Sequence, residues 1–407
     1  MPFFKTPGVY IIEQPGPKTI QPIGTSTAAF LGQAPQGDAH LNEAVAVNNW
    51  SEFRAQFAPS EGAASTMLSH AVAGFFQNRG SRCFVVNLKA GDAIAGNDRP
   101  RSGLKLLEEI DEISIVAAPG YSDPASHEAL LAHSEKLGDR VAILDPPLEA
   151  TNPEFFKTVE AAAIPSKGKG SDNKDASSAE KPAGGLHPRI APRGHGTFYY
   201  PGLVVADALN PKGDLVAVPA SGHMAGIWAR TDATRGVHKA PANEPVLGAL
   251  NLTYRVTSEE QAELNSRGVN VIRFFSNDGI LVWGARTLAE ESSEWRFLNV
   301  RRLFIMIEQS ILRATKWAVF EPNDRTLWKT LKSEVTGFLR NVYRDGALMG
   351  ATPEEAFFVK CDEETNPPES IDLGQVVTVI GIAPVKPAEF IVFKIAQQAA
   401  GAQAETL

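Results

Sequence analysis

The stretch that decides the fold reads Ile-Ser-Ile-Val at residues 113–116 and, after a helix-like segment at 126–137, Arg-Val-Ala-Ile-Leu-Asp at 140–145. The same arrangement occurs upstream, where an amphipathic segment at 65–79 leads into Cys-Phe-Val-Val-Asn-Leu at 83–88. Short β-branched runs that alternate with amphipathic helices are typical of βαβ units. The pattern predicts an α/β fold with a largely parallel sheet.

The first 24 residues, here called the N-terminal arm, follow a different pattern. Proline or glycine recurs through them and forbids a helix. Between these breakers lies one β-type run, formed by Val9, Tyr10, Ile11 and Ile12. A lone short strand cannot fold by itself, so this run has to join another sheet.

The second half of the chain combines a polar insert, long helices and terminal strands. Residues 165–195 are rich in small, polar and breaker residues, which predicts an exposed loop inserted in a folded domain. Residues 294–320 are apolar almost all round, as expected of a buried helix. Two strands, at 375–383 and 388–395, are predicted to close the fold, and the Ala/Gln-rich tail beyond them to fray.

Residues 325–344 predict a helix with two faces, which Asn323 and Asp324 can cap. One face is apolar and has to face the core: Leu327, Leu331, Val335, Phe338 and Val342. The opposite face is basic: Arg325, Lys329, Lys332 and Arg340. This basic face is either the solvated side of a surface helix or a docking surface for an acidic partner. The preceding helix offers a weaker rival stripe: Arg302, Met306, Gln309, Arg313 and Lys316.

Candidate catalytic and metal sites are weak. Ser221-Gly222-His223 could pair with Asp145, Asp207, Asp214 or Asp232, but no G-x-S-x-G elbow surrounds the serine, so a surface turn is the better interpretation. His187, His195, His223 and His238 lack metal-site spacing and read as loop histidines. Gly32–Gly37 does not match a phosphate-binding loop. We therefore predict no catalytic, cofactor-binding or metal-binding residues.

Composition agrees with an ordinary globular protein. The 407 residues are 43% hydrophobic and carry a net charge of -8, which predicts two or three domains and disfavours nucleic-acid binding. Cys83 and Cys361 are expected to be buried free thiols in a cytoplasmically made protein. No signal-peptide pattern opens the chain, and no apolar run would span a bilayer, so no direct membrane insertion is expected.

Several segments resemble contractile phage tail sheath proteins, in the order expected along the chain. They begin with Thr6-Pro-Gly-Val-Tyr and continue with Tyr199-Tyr-Pro-Gly-Leu-Val-Val-Ala-Asp and Val218-Pro-Ala-Ser-Gly-His-Met-Ala-Gly. Later segments are Asn299-Val-Arg-Arg-Leu, Phe320-Glu-Pro-Asn-Asp and Gly381-Ile-Ala-Pro-Val-Lys-Pro-Ala-Glu-Phe. The similarity is strongest after residue 196, and the chain is similar in length to sheaths of R-type bacteriocins and extracellular contractile injection particles.

The resemblance implies a division of the chain. An outer α/β region with a subtilisin-like fold is expected at 25–250, and an inner, tube-facing α+β domain at 251–387. The N-terminal arm and a C-terminal arm at 388–407 are expected to exchange strands with neighbouring subunits. The donors are Val9–Ile12 and the run Phe390, Ile391, Val392 and Phe393, although the second run could instead complete its own domain's sheet.

The resemblance also implies a function. A sheath subunit is a structural protein without catalysis that polymerises helically around an inner tail tube and contracts. Its expected partners are further copies of itself, the tube protein, and baseplate and terminal cap proteins, and Arg325, Lys329, Lys332 and Arg340 would dock on an acidic tube. Assembly is expected in the bacterial cytoplasm, within a virion or a phage tail-like particle that can leave the cell. The alternatives are a hydrolase that uses Ser221 and a monomeric binding module that uses the basic face.

Overall fold

A computed structural model describes residues 20–60, 62–150, 152–158, 185–210, 212–213 and 215–392. Val9, Tyr10, Ile11, Ile12 and Phe393 lie outside these residues. So do most of the polar insert and residue 214.

A nine-stranded sheet organises residues 28–282, in the order β2-β3-β1-β4-β5-β6-β11-β12-β9. Its strands are β1 (Ala28–Gly32), β2 (Ala44–Val47), β3 (Cys83–Asn87), β4 (Ile115–Ala117), β5 (Val141–Leu144), β6 (Gly196–Tyr200), β9 (Glu244–Pro245), β11 (Val269–Phe275) and β12 (Gly279–Val282). The six central strands pair in parallel, whereas β2, β12 and β9 pair antiparallel at the two edges. The predicted α/β fold with a largely parallel sheet is confirmed.

Helices cover both faces of this sheet. They are α1 (Trp50–Phe57), α2 (Met67–Gln77), α3 (Pro124–Leu137), α4 (Ser221–Arg235) and α5 (Ser258–Ser266), with 3-10 turns at Gly103–Glu109 and Pro153–Lys157. Alternate residues of β1 serve different cores: Ala28 and Phe30 pack with α2 and α4, whereas Ala29 and Leu31 pack on the opposite side. Strands buried on both faces have to be apolar throughout, which explains why the sequence shows continuous apolar runs and not alternation.

Smaller sheets extend the fold. Strands β7 (Leu203–Ala206), β8 (Leu215–Val218) and β10 (Ala249–Leu252) form an antiparallel sheet in the order β10-β7-β8. In the C-terminal region, β13 (Phe357–Lys360) pairs antiparallel with β14 (Val379–Ile382), with Phe357 opposite Ile382. We call this pair the terminal hairpin sheet.

Helices α6 (Leu298–Ala314) and α7 (Arg325–Arg344) dominate the C-terminal region, with a 3-10 turn at Lys316–Ala318 and the short helices α8 (Pro353–Ala356) and α9 (Pro368–Asp372). Their shared core includes Leu303, Ile307 and Phe338. The nine-stranded sheet continues past the domain boundary predicted at residue 250, because β11 and β12 are part of it. The change to a helical region therefore falls beyond Val282.

Two features differ from expectation. The predicted strand at 388–395 is not present in its described part, 388–392, since no strand lies beside it to complete a ladder. The described end of the polar insert, residues 185–195, is partly packed against the fold, whereas Ile190, Pro192 and Arg193 are exposed. His187, Ala191 and His195 are buried there, and Arg189 pairs with Glu128 and Glu135.

Candidate assembly surfaces

The C-terminal chain leaves the fold as an apolar, uncovered segment. Phe390, Ile391 and Val392 are 77%, 75% and 80% exposed. Three consecutive large apolar side chains in water are unfavourable for an isolated subunit, and such patches mark interaction sites. These residues match the predicted C-terminal donor run, whose remaining member, Phe393, is not described.

The terminal hairpin sheet has two strands and therefore two edges. Among the described residues no third strand pairs with either β13 or β14. Large apolar side chains on and around this sheet are exposed: Met349, Phe358, Leu373, Val377 and Val379. Unpaired N–H and C=O groups beside exposed apolar side chains form a template for an added strand. The sequence indicates strands at both 357–360, where Phe-Phe-Val-Lys is strand-like, and 375–383, but no local signal indicates that the two strands pair.

Helix α7 has the limits and the orientation that its sequence predicts. Asp324 caps it by accepting a hydrogen bond of 2.9 Å from the backbone N–H of Leu327. The five apolar residues of the predicted core face are all buried. The residues of the basic face, Arg325, Lys329, Lys332 and Arg340, are all exposed. Arg325 forms an ion pair with Glu363, and its side chain is still 75% exposed.

The first half of the rival stripe on α6 is buried, whereas Gln309 and Arg313 are half-buried and Lys316 is exposed. Arg302 is buried in an ion pair with Asp232, with a shortest N–O distance of 2.5 Å, and its guanidinium lies 4.7 Å from the centre of the Trp228 ring. Met306 is also buried. The sequence could not distinguish this buried arginine from a solvated one, because its partner lies 70 residues away.

Ser221 and His223 are not in a surface turn, as the sequence suggested, but in the first turn of the buried helix α4. They are 0% and 1% exposed, so water and substrate cannot reach the serine. Asp145 accepts a 2.9 Å hydrogen bond from the backbone N–H of Ser221. This contact fixes the start of the helix. Burial raises the pKa of Asp145 to about 6.

The histidines do not form a metal site. His187, His195 and His223 are buried and not in exposed loops, and no cluster of three or more metal-ligating side chains occurs in the described part of the chain. Cys83 and Cys361 are buried free thiols, as predicted. Over the same residues no helix has both the length and the apolar character needed to cross a bilayer.

His223 makes the fold sensitive to acid. Its ring nitrogens have no hydrogen-bond partner within the described residues, and burial lowers its pKa to about 4. The unfolded chain therefore binds a proton between pH 6.5 and 4 that the folded chain does not, so the free energy of unfolding falls as the pH falls. Asp145 acts in the opposite sense over pH 6 to 3.8, because its pKa is raised on folding.

We expect His223→Leu to reduce the loss of stability between pH 7.5 and 5 by about 2 kcal/mol. Urea unfolding at the two pH values measures this difference, with His40→Leu at an exposed position as the control. An unchanged pH dependence in His223→Leu would show that this histidine is protonated in the folded state.

Comparison with known proteins places these features in a family. A family model described as the phage tail sheath protein central domain matches residues 102–288, and one described as the phage tail sheath C-terminal domain matches residues 290–398. The junction between them agrees with the end of the nine-stranded sheet.

Characterised relatives of this chain are also tail sheath proteins. The chain is 34% identical over 183 residues to the tail sheath protein of Salmonella phage ViI, covering 44% of this chain and 28% of that protein. It is 32% identical over 181 residues to a putative prophage major tail sheath protein of Pseudomonas aeruginosa, covering 44% of this chain and 45% of that one. The matched segments thus span less than half of these relatives.

Solved structures match over the whole length. The contracted helical sheath of the anti-feeding prophage is 30% identical, with a TM-score of 0.73, covering 97% of this chain and 100% of that one. The contracted sheath complex of the extracellular contractile injection system PVC is 28% identical, with a TM-score of 0.74, covering 98% and 99%.

The matches to sheath proteins across residues 102–288 and 290–398 define the class as a structural protein of contractile sheaths. The chain belongs to the contractile tail sheath family, whose members include phage tail sheaths and the sheaths of extracellular contractile injection systems.

Proposed function

We propose that this chain is the subunit of a sheath that polymerises helically around a tail tube and contracts to drive the tube through a target envelope. The observation that carries the proposal is the coexistence of an open two-stranded sheet and an exposed apolar strand donor in one chain. Electron microscopy of the purified protein tests it, with long hollow tubes expected. Discrete globular particles at high protein concentration would contradict it.

Strand exchange between neighbours is the proposed link. Phe390–Phe393 and Val9–Ile12 are the donors, and the terminal hairpin sheet of an adjacent subunit is the acceptor. Two donors match two edges, so a subunit that gives both strands and receives two has a strand added at each edge of its own two-stranded sheet. Because donor and acceptor are different surfaces, the contact is head-to-tail, and it generates an open helix when successive rotations do not close into a ring.

Contraction is the second part of the proposal and rests on family membership. Subunits would assemble in an extended arrangement held by tube and baseplate contacts, and then rotate into a tighter packing while the arms keep them joined. The stored free energy lies in contacts between subunits, so nucleotide hydrolysis is not required. The tube, baseplate and cap proteins are the proposed partners, with assembly in the bacterial cytoplasm.

The basic face of α7 is the proposed docking surface for the tube. Its four cations are exposed on one rigid helix whose opposite side is fixed in the core, so they present a constant spacing to a partner. The chain as a whole is acidic, at -8, which makes this local excess of positive charge distinct. Charged contacts of this kind hold at moderate ionic strength and release without a large apolar surface to separate.

Reversing charge on this face is expected to uncouple the subunit from the tube. Lys329→Glu with Lys332→Glu should lower co-sedimentation with the cognate tube polymer at least about tenfold, because attraction becomes repulsion at the contact. The remaining binding of the double variant should weaken as the salt concentration falls, because repulsion is less screened, whereas tube binding by the unmodified chain should strengthen.

The control for this pair is Arg54→Glu with Lys89→Glu, which makes the same charge change at exposed positions far from α7 in sequence. Equal tube binding by the two double variants would show that α7 is not part of the tube interface.

A further inference from the structure

The segment that follows the N-terminal arm is tied to α6. Ile20 is 2% exposed and lies in the core formed with Leu303, Met306 and Ile307 of this helix. The backbone N–H of Ile23 donates a 3.0 Å hydrogen bond to Oγ of Ser310. The chain is thus held at two points along one helix before it enters β1.

A buried ion pair continues this anchor. Arg302 of α6 donates a 2.9 Å hydrogen bond to the carbonyl oxygen of Thr25, and the Thr25 hydroxyl donates one of 2.5 Å to Asp232. The Arg302 and Asp232 side chains are only 3% and 6% exposed, so the pair is shielded from water. Burial of this kind makes such a contact costly to open, since either charge alone would be left without a partner.

The segment that precedes the C-terminal arm is tied to the same helix. Asn299, in the first turn of α6, donates a 3.1 Å hydrogen bond to the carbonyl oxygen of Val385. The backbone N–H of Val385 donates a hydrogen bond of 3.2 Å to the carbonyl oxygen of Ala347. Asn299 itself is 1% exposed, so this second anchor also begins inside the core.

The residues beyond Val385 line one side of a cleft, and an ion pair across the cleft holds Glu389. The cleft, of about 700 Å³, is lined by Lys239, Trp283 and residues 385–391. Across it, Glu389 accepts hydrogen bonds of 3.0 Å from Nε and 2.6 Å from Nη2 of Arg286. The Arg286 side chain is 6% exposed. Phe390 follows directly and is 77% exposed, so this two-pronged ion pair is the last polar tie of the described C-terminal segment to the body.

We propose that α6 is the common anchor of both arms, so that tension on one arm passes to the other along this helix. The anchoring residues Asn299 and Ser310 are eleven positions apart, which is roughly 16 Å of rigid helix. The route rests on the proposed strand exchange, which would place force on both arms as the sheath contracts.

Single-molecule pulling with handles at the two termini tests this in one chain, whether or not that chain polymerises. Glu389→Gln weakens the ion pair with Arg286, so residues 386–389, beyond the anchored Val385, should peel at lower force and give an early extension of about 13 Å. Ser310→Ala should likewise lower the force at which residues 20–25 are released, since the N–H of Ile23 loses its acceptor.

The matched control is Glu308→Gln, which breaks the ion pair between Glu308 and Arg301 on the same helix without touching either anchored segment. It should rupture as the unmodified chain does. Moving the C-terminal handle to exposed Lys89 takes Glu389 out of the path and should abolish the effect of Glu389→Gln. Equal rupture forces for Glu389→Gln, Ser310→Ala and Glu308→Gln would overturn the proposal. Loss of polymerisation alone would overturn only the strand exchange.

Discussion

Ile391→Pro is expected to convert the polymer into folded monomers. Proline removes the N–H that a strand needs for its ladder and cannot sit in the middle of a sheet. Ile391 is 75% exposed in the single subunit, so its replacement removes no core contact. A lost ladder bond and a buried carbonyl without a partner together cost about 3 kcal/mol, which raises the critical concentration for assembly roughly 100-fold.

Sedimentation velocity over a concentration series measures this effect, with circular dichroism to confirm the fold. Ile391→Thr is the matched control, because threonine keeps the N–H and the β-branched shape and should still polymerise. If Ile391→Pro assembles as readily as Ile391→Thr, residues 390–393 do not add to a neighbour's sheet.

Gly222→Val is expected to have the largest effect on folding. Helices α2 and α4 approach so closely that a Cβ on Gly222 would lie 2.3 Å from Cα of Ala71. A Cβ on Gly226, one turn further along α4, would lie 2.5 Å from the carbonyl oxygen of Phe75. The obstacle is backbone in both cases and cannot rotate away, so the two helices have to separate. We expect a loss of at least about 3 kcal/mol in the free energy of unfolding.

Gly337→Ala provides the opposite case. Gly337 lies in the exposed middle of α7 and has nothing within 4 Å of the position a Cβ would take. Alanine there should stabilise the protein by about 0.5–1 kcal/mol, as expected from helix propensity alone. Urea unfolding of both variants in the Ile391→Pro background avoids interference from assembly. A Gly222→Val chain as stable as its parent would mean that α2 and α4 are not in contact at this point.

Local patterns predicted much of this fold. The parallel sheet was predicted from apolar runs that alternate with amphipathic segments. Helix α7 was predicted from its apolar stripe and the Asp324 cap. Each of these signals lies within one short stretch of sequence. Phe390–Val392, whose β-type composition is continuous, are exposed in the structure, and their role as a strand donor stays a prediction.

Contacts between distant residues could not be predicted. Arg302 looked like a surface residue until the structure placed Asp232 beside it, and Ser221 looked like a turn until helix α4 was found to be buried. The pairing of β13 with β14 could not be predicted for the same reason, since α9 separates the two strands and they pair only through tertiary folding. The extension of the sheet past residue 250 was not predictable either, because β11 joins β6 across a long connection.

Helical reconstruction by cryo-electron microscopy of polymers formed by the purified chain tests the central claim most directly. The account predicts continuous density for residues 9–12 and 390–393 along the two edges of a neighbouring subunit's terminal hairpin sheet, which would then have four strands. Density in which both runs pack on their own subunit would contradict strand exchange. So would polymers in which the terminal hairpin sheets stay two-stranded.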